Sequence, residues 1–227
     1  MKRTILIILF VPLLLASCKK NELKKPAEVQ FRVVMESSGT TNPSSHLSFT
    51  NGHLNLGKIE IEGERVEGDP VLFTRDFSSG LFVNIGSTNG LSDLKFDIPQ
   101  GTYDSFELVY ETFSQGTEKA IQIDGLYENQ SQQNIPFRFE FNAVEDFPLS
   151  ADEDGSSQII LDKEVAENPL ISLNPGFWFE TVGISLWENA SLFDVEGTPT
   201  ILITSEKNEE IYDIVVDGID ESGELAF

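Results

Sequence analysis

Apolar and polar residues alternate along this chain in many short stretches. Runs rich in Val, Ile, Phe and Thr recur at intervals of roughly ten residues, and Gly, Asn, Pro or Ser separates them. This spacing is typical of β-sandwiches and β-barrels. It predicts strands at Val29–Glu36, Leu47–Thr50, Leu54–Val66, Val71–Asp76, Leu81–Ile85, Leu94–Ile98, Ser105–Phe113, Ala120–Tyr127, Pro136–Asn142 and Ser157–Leu161.

The pair Asn51-Gly52 separates the second and third of these strands. Asn-Gly is a preferred sequence for a two-residue type I′ turn, so the pair predicts a tight hairpin between the two strands. In that register Phe49 faces Leu54, with apolar pairs on one face and polar pairs on the other. The pattern and the turn residues therefore predict the same hairpin.

The spacing becomes helical near the C-terminus. Behind Ser205 and several acids, apolar residues recur at intervals of three and four, at Ile211, Ile214, Val215 and Ile219. This spacing predicts an amphipathic helix. A hairpin of Thr200–Thr204 with Ile211–Val216 is the alternative.

Residues 174–190 also favour a helix, because Pro175 suits a first helical turn. Phe177-Trp178-Phe179 within them is equally compatible with a strand. Together the patterns predict a mainly β protein. We expect an antiparallel β-sandwich over residues 28–173 and a helical C-terminal extension over residues 174–227, packed on the same domain.

An apolar run from Ile5 to Leu15 follows two cations at the N-terminus. It is too short to span a bilayer, which takes about 20 residues, and small residues follow it, as in an export signal. Leu15-Ala16-Ser17-Cys18 resembles the lipobox of bacterial lipoproteins. The resemblance implies that residues 1–17 are removed and that Cys18 carries lipid. An ordinary secretory signal with an incidental Cys18 is the alternative.

Charge is distributed unevenly along the chain. The 38 acidic and 15 basic residues give a net charge of −23. Residues 18–27 nevertheless carry four lysines, and this basic tether suits anionic lipid headgroups. The acidic remainder is repelled by nucleic acid, so we expect no nucleic-acid partner. Solubility and divalent cation binding are both open as reasons for the acidity.

The turn Ile98-Pro99-Gln100-Gly101-Thr102-Tyr103, followed by Phe106-Glu107-Leu108-Val109-Tyr110, resembles a motif of uncharacterised lipoproteins from Bacteroidota. In those proteins such a turn begins a central strand of a β-sandwich. The resemblance implies a sandwich fold and an outer-membrane location, without indicating the periplasmic or the outer face. It implies no activity.

Two features invite a metal site. His46 and His53 lie about four residues apart along the predicted hairpin, roughly 13 Å, which is too far for one ion to bind both. Residues 150–155 resemble the first half of an EF-type calcium loop, but Ser150 replaces its first acid and Leu161 stands where its closing Glu belongs. We interpret the histidines as solvated strand residues and the loop as a turn. The sequence predicts no metal and no cofactor.

No nucleophile elbow, zinc-protease motif or phosphate-binding glycine loop is present, and the sequence predicts no catalytic residue. Trp178 and Trp187 are candidates for stacking against sugar rings, with core packing as the alternative. We therefore expect a non-enzymatic binding or structural role in the cell envelope, with outer-membrane lipid, envelope proteins or glycans as partners. A glycan-binding module for polysaccharide capture and a carboxylate-based hydrolase are the other hypotheses.

Overall fold

The computed structural model describes residues 23–35, 46–85, 94–151, 158–219 and 223–227. The fold is mainly β with a helical element near the C-terminus, as predicted. Its strands are β1 (Pro26–Gln30), β2 (Arg32–Met35), β3 (Leu47–Arg65), β4 (Val71–Asn84), β5 (Lys95–Pro99), β6 (Gly101–Thr112), β7 (Ile121–Glu128), β8 (Asn134–Phe141), β9 (Asp146–Ala151), β10 (Ile159–Leu161), β11 (Leu170–Leu173), β12 (Leu192–Val195), β13 (Thr198–Ile203) and β14 (Glu224–Ala226). Its helices are α1 (Pro175–Trp178), α2 (Ile184–Asn189) and α3 (Glu209–Ile219).

Strand β3 is the strand around which the fold is organised. Residues 47–54 pair with β7, residues 56–65 pair with β6, and β4 follows the other edge of β3. A register irregularity between Leu56 and Lys58 marks the change of partner. Two sheet halves therefore diverge from the β3–β4 pair.

One half continues from β7 through β8 and β13 to β12, and the other from β6 through β9, β14 and β11 to β2. Phe141 of the first half contacts Phe147 of the second at a centroid distance of 6.3 Å. A separate two-stranded sheet of β1 and β5 packs through Phe96 against Phe73 of β4, at 5.3 Å. These packed sheets form the sandwich, and each buried Phe contributes about 1.5–3 kcal/mol through burial.

The predicted hairpin at Asn51-Gly52 is wrong. Both residues lie inside β3, where Asn51 faces Asp124 and Gly52 faces Ile123 of β7. A Cβ on Gly52 would lie 2.8 Å from Ile123 Cδ1 and 3.1 Å from the Gln122 carbonyl oxygen. Gly52 therefore serves close packing against β7, and the two predicted strands are one continuous strand.

The segment after Asn174 contributes strands as well as helices to the fold. Strand β13 pairs in parallel with β8, and β14 pairs with β9 and β11. Residues 174–190 form two short helices separated by residues 179–183, where a single helix was preferred from the sequence. The Asn174 side chain accepts from the Phe177 N–H at 3.1 Å, and Pro175 occupies the first turn of α1 as expected.

The amphipathic helix near the C-terminus is confirmed as α3, so the alternative hairpin is wrong. It begins at Glu209, later than the Ser205 cap predicted. Asn208 precedes it, and its side-chain amide donates to the backbone carbonyls of Leu202 and Ser191 at 2.8 and 3.0 Å. Asn208 thereby connects the start of α3 to β13 and to the segment before β12.

Candidate functional site

Cys18, the signal segment and the first half of the basic tether lie outside the described residues, as do Asp152, Asp154 and Gly155 of the calcium-like loop. Ser150 of that loop is described, and it pairs with Glu107 as an ordinary residue of β9. Within the described residues, the candidate sites are the end of the tether, the two tryptophans and two clefts.

The end of the tether is bound to one end of the sandwich. Arg65, the last residue of β3, donates from Nη1 to the Leu23 carbonyl oxygen at 2.6 Å. Its Nε and Nη2 donate to the Asp69 carbonyl oxygen at 2.9 and 2.7 Å. The Gln100 N–H donates to the Lys25 carbonyl oxygen at 2.8 Å. Leu23 and Lys25 are thus held where β3 ends and β5 turns into β6.

The turn that carries the Bacteroidota resemblance lies at this same end. Gly101 has a φ of +149°, which a side chain rarely permits, and Tyr103 follows it with its ring buried. The Tyr103 hydroxyl donates to the Pro99 carbonyl oxygen at 2.5 Å. Burial raises the pKa of Tyr103 to about 12, with Arg65 opposing that shift. The motif is therefore a packing device in this protein, and its tyrosine remains protonated.

The two tryptophans do not offer open ring faces for a ligand. Trp178 is 1% exposed and Trp187 is 4% exposed. The Trp187 ring stacks on Tyr127 at 5.1 Å and contacts Phe137 at 5.3 Å. Stacking of sugars on these residues was one of the sequence-based interpretations, and the burial of both indoles favours the alternative of core packing.

A hollow of about 200 Å³ lies beside Trp187 and is also lined by Tyr127 and the exposed His46. This volume is below the range of about 300–1,000 Å³ common for ligand pockets. The Tyr127 hydroxyl donates to Glu188 Oε1 at 2.6 Å, and the Gln130 N–H donates to the same oxygen at 2.9 Å. These two bonds lower the pKa of the Glu188 carboxyl. The hydrogen bonds to Glu188 therefore connect α2 to β7 and the β7–β8 turn.

A cleft of about 600 Å³ is lined by β3, β4, β6 and β9. We call it the acidic cleft, because its charged lining residues are Glu62, Glu64, Asp104 and Glu107. Gln158 Nε2 donates to Asp104 Oδ1 at 2.8 Å. Among the described residues no three His, Cys, Asp or Glu side chains converge as metal ligands would. A carboxylate-based hydrolase would require two of these acids to act as a pair.

A second cleft, of about 380 Å³, lies on the outer face of the sheet where β4, β3 and β7 run side by side. We call it the His53 cleft. In β3, His53 faces Gln122 of β7, and Asn55 faces Phe82 of β4. Residues directly opposite one another in antiparallel strands project to the same face. The remaining lining residues are Ser79, Gly80, Thr117, Glu118 and Lys119.

The chemistry of the His53 cleft is aromatic and polar. Phe82 is 59% exposed, and its ring lies 4.6 Å from the His53 ring at a tilt of 32°. Desolvation lowers the pKa of His53, against the opposing effects of Asp124 and a hydrogen bond to the Lys119 backbone. The imidazole is consequently neutral at neutral pH.

Asn55 forms the floor of this cleft and is only 5% exposed. Its backbone donates to the Ala120 carbonyl oxygen and accepts from the Phe113 N–H, at 2.8 and 2.7 Å. Among the described residues, its side-chain amide has no hydrogen-bond partner. Gly80, with a φ of +72°, lies so close that a Cβ on it would be 2.5 Å from Asn55 Oδ1.

Sequence reasoning interpreted His53 as a solvated strand residue and did not identify Phe82 or Asn55. One signal was present, because Phe82 alternates with the inward-facing Val83 and therefore shares the polar face of its strand with Asn84. An aromatic residue on a polar strand face is the pattern that indicates this cleft.

No family model, no curated protein and no solved structure matches this chain. In the described ranges, none of the helices has the length and apolarity needed to cross a bilayer.

Proposed function

We propose that this chain is a cell-envelope lipoprotein, held in the outer membrane by lipid on Cys18, with a binding or structural role and no catalysis of its own. The observation that carries the proposal is Leu15-Ala16-Ser17-Cys18 behind a short apolar run. One acyl chain binds a membrane marginally, whereas two or three hold a protein stably. A lipidated and acylated Cys18 would provide that stable anchor.

The position of Leu23 supports this arrangement. Four residues lie between Cys18 and Leu23, and the five steps of chain that join them can span at most about 18 Å. Because Arg65 binds the Leu23 carbonyl, the end of the sandwich at Arg65 would face the bilayer. Lys24 and Lys25 are exposed at that end, where they can contact anionic headgroups. The acidic cleft, with Glu64 and Asp104, lies towards this same end, and the rest of the sandwich would extend away from the membrane and be available to envelope proteins or glycans.

The substitution Cys18→Ala tests the anchor. We expect the wild-type protein to remain in the membrane fraction and to incorporate a palmitate analogue, and the variant to be released and unlabelled. Ser17→Ala is the matched control, because it keeps a small residue beside the cleavage site and should behave as wild type. Fractionation with a high-salt wash measures the outcome.

Retention of the Cys18→Ala protein in salt-washed membranes would refute lipid anchoring. A wild-type protein that takes up no label would refute it equally. The high-salt wash matters because it removes proteins held only through the lysines, whose attraction to headgroups is screened.

A further inference from the structure

We propose that the His53 cleft binds an uncharged sugar unit, with one apolar face of the sugar ring against Phe82 and its hydroxyl groups on Asn55 and Gln122. This goes beyond the anchored binding role proposed above and names the ligand class. It does not depend on the lipid, because all of the residues involved lie in the sheet.

The first argument is the placement of the residues. Phe82, Asn55 and Gln122 come from three adjacent strands on one sheet face. Phe82 and Gln122 lie on the two outer strands, which are two strand spacings of about 4.8 Å each apart. This separation matches the breadth of a sugar ring with its substituents. The volume of about 380 Å³ lies within the usual range for small-molecule sites.

The second argument is the unpartnered Asn55 amide. Asn55 is 5% exposed, and its amide is not among the fully buried unpartnered polar atoms of the described residues, so the exposed part of this side chain includes amide atoms that face the cleft. The amide offers both donors and an acceptor to the cleft, which is the combination that recognises a hydroxyl group. A ligand hydroxyl would supply the missing partner.

The third argument is the local charge. Lys119 Nζ is paired with Glu140 at 2.8 Å, so it does not offer the cleft an isolated cation for a phosphate or carboxylate. Gln122 Nε2 donates to Asp124 Oδ2 at 3.1 Å, and Asp124 is paired with Arg138 at 2.6 Å. Lys119, Gln122, Asp124 and Arg138 therefore satisfy one another, and the cleft presents amides, hydroxyl groups, an imidazole and an aromatic ring. The exposed Glu118 carboxylate also lines the cleft and disfavours an anionic ligand.

An exposed ring beside convergent polar groups suits a molecule with one apolar and several polar surfaces. A sugar ring has that character, since its C–H bonds can lie on an aromatic face while its hydroxyl groups form hydrogen bonds. His53 stabilises the position of Phe82 by packing against its ring. His53 also lies twelve residues before Arg65 on β3, roughly 40 Å along the strand, so the cleft is remote from the tether.

The test is calorimetric titration of the full chain, in mild detergent, with tetrasaccharides of glucose, mannose, galactose and N-acetylglucosamine. We expect at least one of them to bind with a dissociation constant in the millimolar range or tighter. Phe82→Ala should weaken that binding about tenfold or more, and Phe82→Trp should restore it.

Leu72→Ala is the matched control, because Leu72 is an exposed apolar residue on the same strand, 71% exposed, and lies in the acidic cleft. It should bind as wild type does. The proposal is overturned if none of the four probes binds at millimolar concentration, or if Phe82→Ala and Leu72→Ala give equal affinities. Either result would leave the Cys18 experiment untouched, so the two proposals fail separately.

Discussion

His53 illustrates how the surroundings of one residue determine its charge. It lies half-buried between the Phe82 ring and strand β7, and the loss of water disfavours its protonated form. Asp124 and Glu140 attract a proton to it, and Arg138 opposes them, but desolvation is the largest effect. The folded protein therefore binds a proton at His53 less readily than the unfolded chain does.

A pH dependence of stability follows from this difference. Because the folded pKa is below the ordinary value of 6.5, the unfolded state binds more protons at mildly acidic pH. The contribution of His53 to the stability of the folded protein is fully present above pH 6.5, and it is lost as the pH falls through the folded pKa. We expect wild type to lose more free energy of unfolding than His53→Gln does between about pH 7 and pH 5.

Urea unfolding of both proteins at each pH provides the comparison. Parallel profiles for wild type and His53→Gln would show that burial does not perturb this imidazole.

At the scale of elements, helix α3 packs closely against helix α1 at Gly218. A Cβ on Gly218 would lie 2.9 Å from both the Cα and the carbonyl oxygen of Trp178. Those are backbone atoms, which cannot move aside as a flexible side chain can. Position 218 follows Ile211 by seven residues and so belongs to the apolar stripe of α3, but the absence of a side chain there is what permits the contact.

Gly218→Ala should therefore destabilise the protein although alanine is the better helix former. The gain in helix propensity is about 1 kcal/mol, and overpacking typically costs about 1–3 kcal/mol. Because the contact is with backbone atoms, we take the upper part of that range, about 2–3 kcal/mol, and expect a net loss of about 1–2 kcal/mol in the free energy of unfolding, measured by urea denaturation. The control Asp217→Ala, at an exposed neighbour, should change stability by less than about 0.5 kcal/mol. A Gly218→Ala protein as stable as that control would contradict the packing.

The elements that could be predicted from the sequence are those whose pattern is local. The pattern predicts helix α3 and most strands between β3 and β8. Burial of one face imposes a period of 3.6 residues on a helix and of 2 residues on a strand. Asn51-Gly52 was misinterpreted because a turn signal is local, whereas pairing with β7 involves residues some seventy positions away. Strands β12 and β14 were missed because they are short and complete the sheet only through distant partners.

The candidate site was less predictable than the fold. Trp178 and Trp187 were considered for ligand contact because of their residue type, but only the packing shows that both are buried. Asn55 gave no sequence signal, because a polar residue in a strand is ordinarily solvated. Its burial results from Gly80 and the chain at Phe113, which approach it from elsewhere in the sequence.

At the scale of the whole molecule, the net charge of −23 is the dominant property. Like charges repel one another across the surface and destabilise the folded state at low ionic strength. Salt screens this repulsion and should therefore raise stability. The acidic cleft is one place where these carboxylates gather. A calcium site would need six to eight converging oxygens, a stronger requirement than proximity alone.

We expect calcium to act on stability as any other salt does. A specific site would stabilise the native state by about 2.7 kcal/mol at a hundredfold excess over its dissociation constant. Thermal unfolding in calcium chloride, compared with sodium chloride and EDTA at matched ionic strength, should therefore give equal midpoints. A calcium-specific rise of several degrees would show that acids of this chain converge around an ion.

The bond between Arg65 and the Leu23 carbonyl also has a mechanical consequence. Tension on the N-terminus would otherwise open β1 from β5 one pair at a time, beginning at Pro26 and Pro99. Arg65 instead transfers the pull to the end of β3, which is bonded along its length to β4, β6 and β7. Load along a strand stretches many hydrogen bonds together, and bonds that share a force resist it far better than bonds broken in succession. Traction on the N-terminus is thus carried by β3, the longest of the described strands.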